Sequence, residues 1–107
     1  MNKRNFQRFN VSASVNYRVL ESLTAPEVTQ TEDMSEAGIR INLPEYIEPE
    51  TRLELTIRIP SEVRTIMAIG RVVWVKPEPL NKQFTTGIQL TYIREQDKKR
   101  FYEYALG

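Results

Sequence analysis

The stretch RLELTIRI, residues 52 to 59, carries the pattern on which the fold prediction rests. Apolar side chains occupy every second position, and polar side chains occupy the positions between them. The apolar positions are Leu53, Leu55, Ile57 and Ile59. A period of two is typical of a β-strand with one buried face and one exposed face. Pro60 cannot donate to a strand ladder, so this strand is predicted to stop there.

The same alternation recurs toward the N-terminus. Residues 11–19 alternate between apolar and polar side chains, and residues 39–43 repeat the pattern before Pro44. Residues 27–32 are rich in Val and Thr, which favour strands, although their alternation is weaker. These segments predict two further strands and a weaker third candidate on this side.

Two more strands and a helix are predicted toward the C-terminus. The run 66–75 is apolar on both faces except at Arg71 and is expected to end by Pro77; residues 88–92 form another strand, entered through Gly87. After residue 93 the period changes, and an apolar stripe at Phe101, Tyr104 and Ala105 indicates a short helix. Evenly spaced strands and one terminal helix favour a small, mostly β antiparallel barrel.

The composition excludes several functional classes. The 107 residues fit a single domain, and 15 basic against 14 acidic residues argue against a generic nucleic-acid binder. The absence of Cys and His excludes disulfides, thiolate or imidazole metal sites and the common nucleophile pairs. Because no spacing of the other residues indicates a catalytic pair or a metal–carboxylate cluster, no metal site, no cofactor and no enzyme is predicted. With no signal-peptide run and no apolar stretch long enough for a membrane span, the expected location is the cytoplasm.

Charge is unevenly distributed in spite of this balance. Lys3, Arg4 and Arg8 precede every acidic residue, whereas residues 19–39 contain five acidic residues and no basic one. The first motif, R-x-x-x-R at Arg4 and Arg8, is by itself typical of a solvated arm. The second, D-x-S-x-x-G at residues 33–38, is by itself typical of a turn that leads into a strand, with glycine supplying a positive φ.

Taken together, the two motifs hold the groups that an anionic guanine nucleotide requires. A guanidinium can bind the O6 and N7 edge of guanine or a phosphate, and it can stack on a purine. A carboxylate suits the opposite edge of guanine, which carries only donors, and a serine hydroxyl can assist beside it. The residues concerned are Arg4, Arg8, Asp33, Ser35 and Gly38.

In this order and on this strand pattern, the chain resembles the PilZ domain, a bacterial family of cyclic di-GMP receptors. The strands LELTIRIP, GRVVWV and TTGIQL and the terminal helix extend the resemblance over essentially the whole chain. It implies a six-stranded antiparallel β-barrel with a C-terminal α-helix, in which residues 1–10 are a ligand-binding arm and residues 11–107 are the barrel and helix. The resemblance implies that the ligand-binding residues are Arg4, Arg8, Asp33, Ser35 and Gly38. Lys3, which precedes Arg4, is predicted as a further contact.

The function implied is second-messenger signalling without catalysis. The arm is expected to be mobile without cyclic di-GMP, to close over the barrel when the ligand binds, and so to signal to a protein partner of unknown identity. The main alternative is a protein–protein adaptor of the same fold with a silent nucleotide site. In a purely structural alternative, an arginine–aspartate ion pair pins the arm to the barrel and no ligand binds. A single-strand nucleic-acid binder is less favoured, because a basic groove with spaced exposed aromatics is missing.

Two other features receive structural interpretations. Trp74 is interpreted as a residue of the core or of the barrel rim and not as a ligand platform. The basic cluster at residues 98–100 is interpreted as the solvated face of the terminal helix, with a surface for a protein partner as the alternative.

Overall fold

The computed structural model describes residues 13–20, 27–34, 38–60 and 62–105, and for residues 27–34 it describes the backbone alone. Within these ranges the chain forms strands followed by a C-terminal helix. The strands are β1 (Ser14–Val19), β2 (Glu27–Met34), β3 (Gly38–Leu43), β4 (Arg52–Arg58), β5 (Thr65–Glu78) and β6 (Gln83–Ile93). A 3₁₀ turn at Glu95–Asp97 leads into α1 (Lys98–Ala105). These elements confirm the predicted mostly β class with a C-terminal helix.

The strands pair antiparallel in the order β1-β2-β3-β6-β5-β4. Strand β4 also pairs with β1 over six residues, from Ser14 opposite Arg58 to Val19 opposite Leu53, so the ring of pairings closes. One face of the barrel is formed by β2, β3, β6 and β5, which are neighbours in this order.

The alternation in the sequence decides which side chains enter the core. In β4, Leu53, Leu55 and Ile57 are fully buried, while the residues between them reach the surface. Strand β3 does the same with Ile39, Ile41 and Leu43, and it leaves Arg40 and Asn42 on the outside. Burial of branched apolar side chains of this size contributes about 1.5–3 kcal/mol each, so the alternation fixes which face of each strand points outward.

Strand β5 differs from its prediction in two ways. Although residues 66–75 appeared apolar on both faces, buried and partly exposed positions alternate only from Ile66 to Val72, and residues 73–78 are all at least partly exposed. The strand also continues through Pro77, which pairs with Phe84, to Glu78, so the predicted end at Pro77 is wrong. No described strand continues the β4 pairing beyond Arg71, and proline is tolerated in a strand segment with one unpaired edge.

Strand β6 begins earlier than predicted. It starts at Gln83, and Gly87 lies in its interior opposite Trp74 instead of at its entrance. The result is a long β5–β6 hairpin whose outer surface is larger than the sequence pattern indicated. At its tip lies the turn through Asn81, whose side-chain oxygen accepts a hydrogen bond from the Gln83 backbone N–H at 3.1 Å.

The terminal helix is held to the barrel by an apolar contact and by a buried carboxylate. Phe101 and Ala105 are fully buried and Tyr104 packs against the core, as the apolar stripe predicted. Asp97, which is completely buried, accepts hydrogen bonds from Arg94 Nε at 2.8 Å, from Arg100 Nη2 at 2.7 Å and from the Met67 backbone N–H at 3.0 Å. We call this group the Asp97 clamp.

The Asp97 clamp corrects the interpretation of the basic cluster at residues 98–100. Lys99 is exposed, but the Arg100 side chain is only 20% exposed and also binds Glu62 at 3.0 Å and the Thr65 carbonyl oxygen at 2.9 Å. Arg100 therefore faces the barrel and fastens the helix, and it is not part of a solvated face. A basic run in a short helix does not by itself reveal which of its members turns inward.

Candidate functional site

The outer faces of β3, β6 and β5 border an open cavity of about 370 Å³, which we call the outer cavity. Its walls combine an indole ring, two cations, a carboxylate and several polar side chains. The lining residues are Arg40, Asn42, Trp74, Lys76, Glu78, Asn81 and Thr85. Arg40 and Asn42 lie on the outside because Ile41 and Leu43, which alternate with them in β3, fill the core.

Trp74 lines this cavity with an exposed fraction of 42%, so it is not a core residue. Its indole ring lies over Gly87, where a Cβ atom would overlap the Nε1, Cε2 and Cζ2 atoms of the ring. Glycine at position 87 thus makes room for a flat aromatic surface on the outside of the sheet. The interpretation of Trp74 as a structural residue alone is incomplete, because an exposed indole beside a polar cavity can also stack on a planar ligand.

The strand register connects the second sequence motif to this cavity. Asp33 of β2 pairs with Arg40 of β3, Arg40 pairs with Gly87 of β6, and Gly87 pairs with Trp74 of β5. These four residues form one transverse row, which we call the Asp33 row. Neighbouring strands are about 4.8 Å apart, so the row spans about 14 Å from Asp33 to Trp74.

Asp33 itself lies at a different kind of position from the one predicted. The motif was interpreted as a turn, but Asp33 belongs to β2, one residue before its end, and the β2–β3 register shifts between Thr31 and Asp33. Such irregularities reorient a strand locally and are frequent beside binding sites. The sequence thus placed Asp33 next to the correct strand but missed its role in the ladder.

Gly38 opens strand β3, and its role differs from the predicted one. Its φ angle lies outside the left-handed region, so it does not supply a positive φ. Instead, a Cβ atom at this position would overlap the carbonyl oxygen of Ile88 in the neighbouring strand β6. Gly38 therefore allows close contact between β3 and β6 at the end of the motif.

Polar groups in the outer cavity are linked through Thr85. Its hydroxyl lies 2.9 Å from Asn42 Oδ1 and 3.0 Å from Glu78 Oε2. Thr85 is 6% exposed, so this hydroxyl depends on its protein partners and not on solvent. Lys76, opposite Thr85 in the β5–β6 ladder, forms no ion pair with any residue described here.

The remaining residues of the predicted site fall outside the described part of the chain. These residues are Lys3, Arg4, Arg8 and Ser35, and with them lies the whole predicted arm, residues 1–10. Sequence reasoning missed Arg40, Lys76 and Glu78 as site residues. A signal for Arg40 was available, since it is the first outward-facing position after Gly38, but Lys76 and Glu78 are brought to the site only by the length of the β5–β6 hairpin.

Two other kinds of feature are absent from the described ranges. There, no group of three or more Asp or Glu side chains is arranged to hold a metal ion. In the same ranges, no helix has the length and apolar character needed to cross a membrane.

Comparison with known proteins places this geometry in a family context. The family model described as the PilZ domain matches residues 2–107. The structure of the Bacillus subtilis inhibitor of motility MotI/DgrA is similar, with 20% identity and a TM-score of 0.79, covering 99% of this chain and 51% of that one. The chain thus spans about half the length of MotI/DgrA. The PilZ domain of Escherichia coli YcgR, solved with c-di-GMP, has 8% identity and a TM-score of 0.66, covering 98% of this chain and 90% of that one. No curated protein matches the chain.

Proposed function

Because the chain belongs to the PilZ domain family, we propose that it is a non-catalytic receptor for cyclic di-GMP that signals through its N-terminal arm. The ligand binds on the outer face of β2, β3, β6 and β5 of a six-stranded PilZ barrel, and residues 1–10 close over it. The family membership supports the class of ligand, and this chain's own residues support the position of the site.

The observation that carries the proposal is the Asp33 row. A motif that suits guanine by its chemistry meets, in one line across the sheet, a guanidinium at Arg40 and an exposed indole at Trp74. A guanine nucleotide needs an acceptor for its N1–H and N2–H₂ edge, a cation for phosphate and a surface for stacking. The row and the adjoining cavity supply all three kinds of group within about 14 Å.

The arm supplies the groups that the face lacks. In this proposal Arg4 and Arg8 each make a charge-assisted contact to a phosphate or to the O6 and N7 edge of a guanine, with Lys3 beside them. Asp33 and Ser35 contact a guanine from the barrel. Binding therefore changes the position of residues 1–10, and the altered surface is what a downstream protein partner recognises. A receptor of this kind acts in the cytoplasm of a bacterium as part of second-messenger signalling.

Isothermal titration calorimetry with cyclic di-GMP tests the proposal, with cyclic di-AMP, GMP and GTP as controls. We expect selective binding of cyclic di-GMP, because a carboxylate accepts hydrogen bonds from the N1–H and N2–H₂ edge of guanine. Adenine has no such edge with donors alone. Equal affinity for cyclic di-AMP would overturn the guanine assignment. No binding of any of the four would favour the adaptor with a silent site.

Amide hydrogen exchange tests the signalling step separately. Protection across residues 1–9 is expected to rise when cyclic di-GMP is added, because the arm gains contacts to the ligand. An arm with the same protection before and after binding would show that the signal arises elsewhere in the molecule, even if the ligand binds.

A further inference from the structure

We propose that Glu78 is a second guanine-reading residue, located at the opposite end of the outer cavity from the Asp33 row. This inference rests on the proposed function and identifies a specificity-determining residue outside both sequence motifs. Cyclic di-GMP carries two guanines, whereas the motif supplies a single carboxylate, Asp33. A second acceptor for the second base has to come from elsewhere in the protein or from solvent.

Glu78 has acceptor capacity that the protein does not use. Its Oε2 atom lies 3.0 Å from the Thr85 hydroxyl, which also lies 2.9 Å from Asn42 Oδ1. One hydroxyl carries one hydrogen and can donate to only one of these two oxygens at a time. The Oε1 atom of Glu78 accepts no hydrogen bond from any described residue. A half-buried carboxylate with these open positions is suited to accept two parallel hydrogen bonds from a ligand.

Position along the sheet separates Glu78 from the motif residues. Glu78 follows Trp74 by four residues in β5, which is a rise of about 13 Å along the strand. Asp33 lies across the sheet from Trp74, about 14 Å away. Glu78 and the backbone position of Asp33 therefore occupy different corners of the sheet, with the indole of Trp74 at the third corner. This arrangement suits a ligand with two identical bases joined by a central ring of two riboses and two phosphates.

Thr85 and Lys76 complete the arrangement around Glu78. Thr85 is buried and holds the Glu78 carboxylate on the cavity side of the hairpin, so Thr85 is a positioning residue. Lys76 lies between Trp74 and Glu78 in β5 and has no carboxylate partner among the described residues. An unpaired ammonium at this place is suited to a phosphate between the two bases.

The test compares Glu78→Gln with Lys76→Gln, two substitutions in the same cavity with different expected readouts. Calorimetry uses cyclic di-GMP and cyclic di-IMP, in which each base lacks the 2-amino group. Glu78→Gln removes one acceptor and places an amide donor before guanine donors, so affinity for cyclic di-GMP is expected to fall by about 10-fold or more. The preference for cyclic di-GMP over cyclic di-IMP should shrink by about threefold or more.

Lys76→Gln should lower the affinity for both dinucleotides by the same factor, because a phosphate contact does not depend on the base. Glu103→Gln, at an exposed helix position, is the matched control and should change neither affinity. Thermal melting of all variants checks that the fold is retained.

The outcomes separate this inference from the proposed function. If the wild-type protein binds cyclic di-GMP and Glu78→Gln binds it with unchanged affinity and unchanged base preference, Glu78 does not read guanine and the inference is overturned. If Glu78→Gln lowers affinity for both dinucleotides equally, its role is electrostatic, and the inference is also overturned. If the wild-type protein does not bind cyclic di-GMP, the proposed function fails and this inference fails with it.

Discussion

The Asp97 clamp and the outer cavity both bring carboxylates and cations together, but they differ in how completely these charges are satisfied. In the clamp, Asp97 is fully buried and accepts hydrogen bonds from Arg94, Arg100 and a backbone N–H. In the cavity, Lys76 has no described ion-pair partner, and Glu78 accepts one shared hydrogen bond. The Asp97 carboxylate thus has its hydrogen bonds filled by the protein, whereas the outer cavity keeps acceptor positions and a cation that no described residue binds.

This difference shows which group is structural and which is available to a ligand. A buried carboxylate is tolerated only when hydrogen bonds and opposite charges replace its lost solvent. Burial by itself raises the pKa of Asp97, but the hydrogen bonds from Arg94, Met67 and Arg100 outweigh it and hold the pKa below its usual value. The cavity groups remain partly in solvent and need no such completeness, so they can exchange water for a ligand.

The largest expected effect is that of Asp97→Asn on stability. The substitution leaves Arg94 and Arg100 without their common carboxylate, and it should lower the free energy of unfolding by about 3 kcal/mol, the lower end of the range for a broken buried pair. The lower end applies because both arginines stay partly in solvent. Urea unfolding measures this change, while the affinity of the folded protein for cyclic di-GMP should remain the same.

Acid unfolding provides the control for the Asp97 clamp. Since the folded pKa of Asp97 is lowered, its stabilising contribution is complete above its unfolded pKa of about 3.9 and is lost as the pH falls through the folded value. The difference in stability between wild type and Asp97→Asn should therefore be constant at neutral pH and shrink below about pH 3.9. A difference that stays constant into strong acid would show that the carboxylate charge is not what holds the helix.

The next effect in size concerns ligand binding by the predicted arm. Arg8→Ala should remove one charge-assisted contact and lower the affinity for cyclic di-GMP by about 5- to 150-fold, or roughly 1–3 kcal/mol. The free energy of unfolding should stay the same. Arg8→Lys should recover only part of the loss, because an ammonium restores the charge but not the planar fork. Arg58→Ala, which removes an exposed arginine of β4, is the matched control for net charge. Equal losses in Arg8→Ala and Arg58→Ala would reduce the role of Arg8 to general attraction.

Two glycines allow the comparison to be made with the same substitution. Gly38→Ala places a methyl group against the Ile88 carbonyl, which is part of the backbone and cannot move away. The free energy of unfolding should therefore fall by about 1–3 kcal/mol. Gly87→Ala meets the indole of Trp74, an exposed side chain that can rotate, so its cost in stability should stay below about 1 kcal/mol. Gly87→Ala should nevertheless lower the affinity for cyclic di-GMP, because it displaces the indole. Urea unfolding and calorimetry on both variants measure the two effects, and equal stability losses would contradict this explanation.

The smallest effect expected is that of salt on ligand affinity. A dinucleotide with two phosphates lacks the condensed counterions of a polymer, so its affinity should fall by about tenfold or less between 50 and 200 mM salt. A nucleic-acid binder with 6–10 phosphate contacts would lose about 10³-fold or more over the same range. Titrations at several salt concentrations, with a single-stranded oligonucleotide as the comparison, distinguish the two.

The sequence predicted those parts of the molecule that local periodicity controls. Alternation located β1, β3 and β4 and assigned their buried faces, and the change of period located α1. It failed where pairing between distant strands decides the outcome. Pro77 remains in β5 because β6 pairs with it on one side, and Asp33 lies in a strand because Arg40 stands opposite.

The candidate site divides in the same way. The motif residues could be identified because their order and spacing are visible in the chain. Lys76 and Glu78 could not, since a strand that was expected to end by Pro77 offered no reason to examine its outer face. The inward turn of Arg100 was equally hidden, because it depends on Glu62 and Asp97 being brought together by the fold.

The placement of Trp74 over Gly87 also gives the protein a built-in optical probe. The chain contains a single tryptophan, and that tryptophan borders the outer cavity. Its emission therefore reports on one known place and is free of signal from any other indole. A base that stacks on the ring should quench this emission and shift its wavelength, so occupancy of the cavity can be followed in dilute solution, without a label, and on the millisecond scale of a stopped-flow mixer.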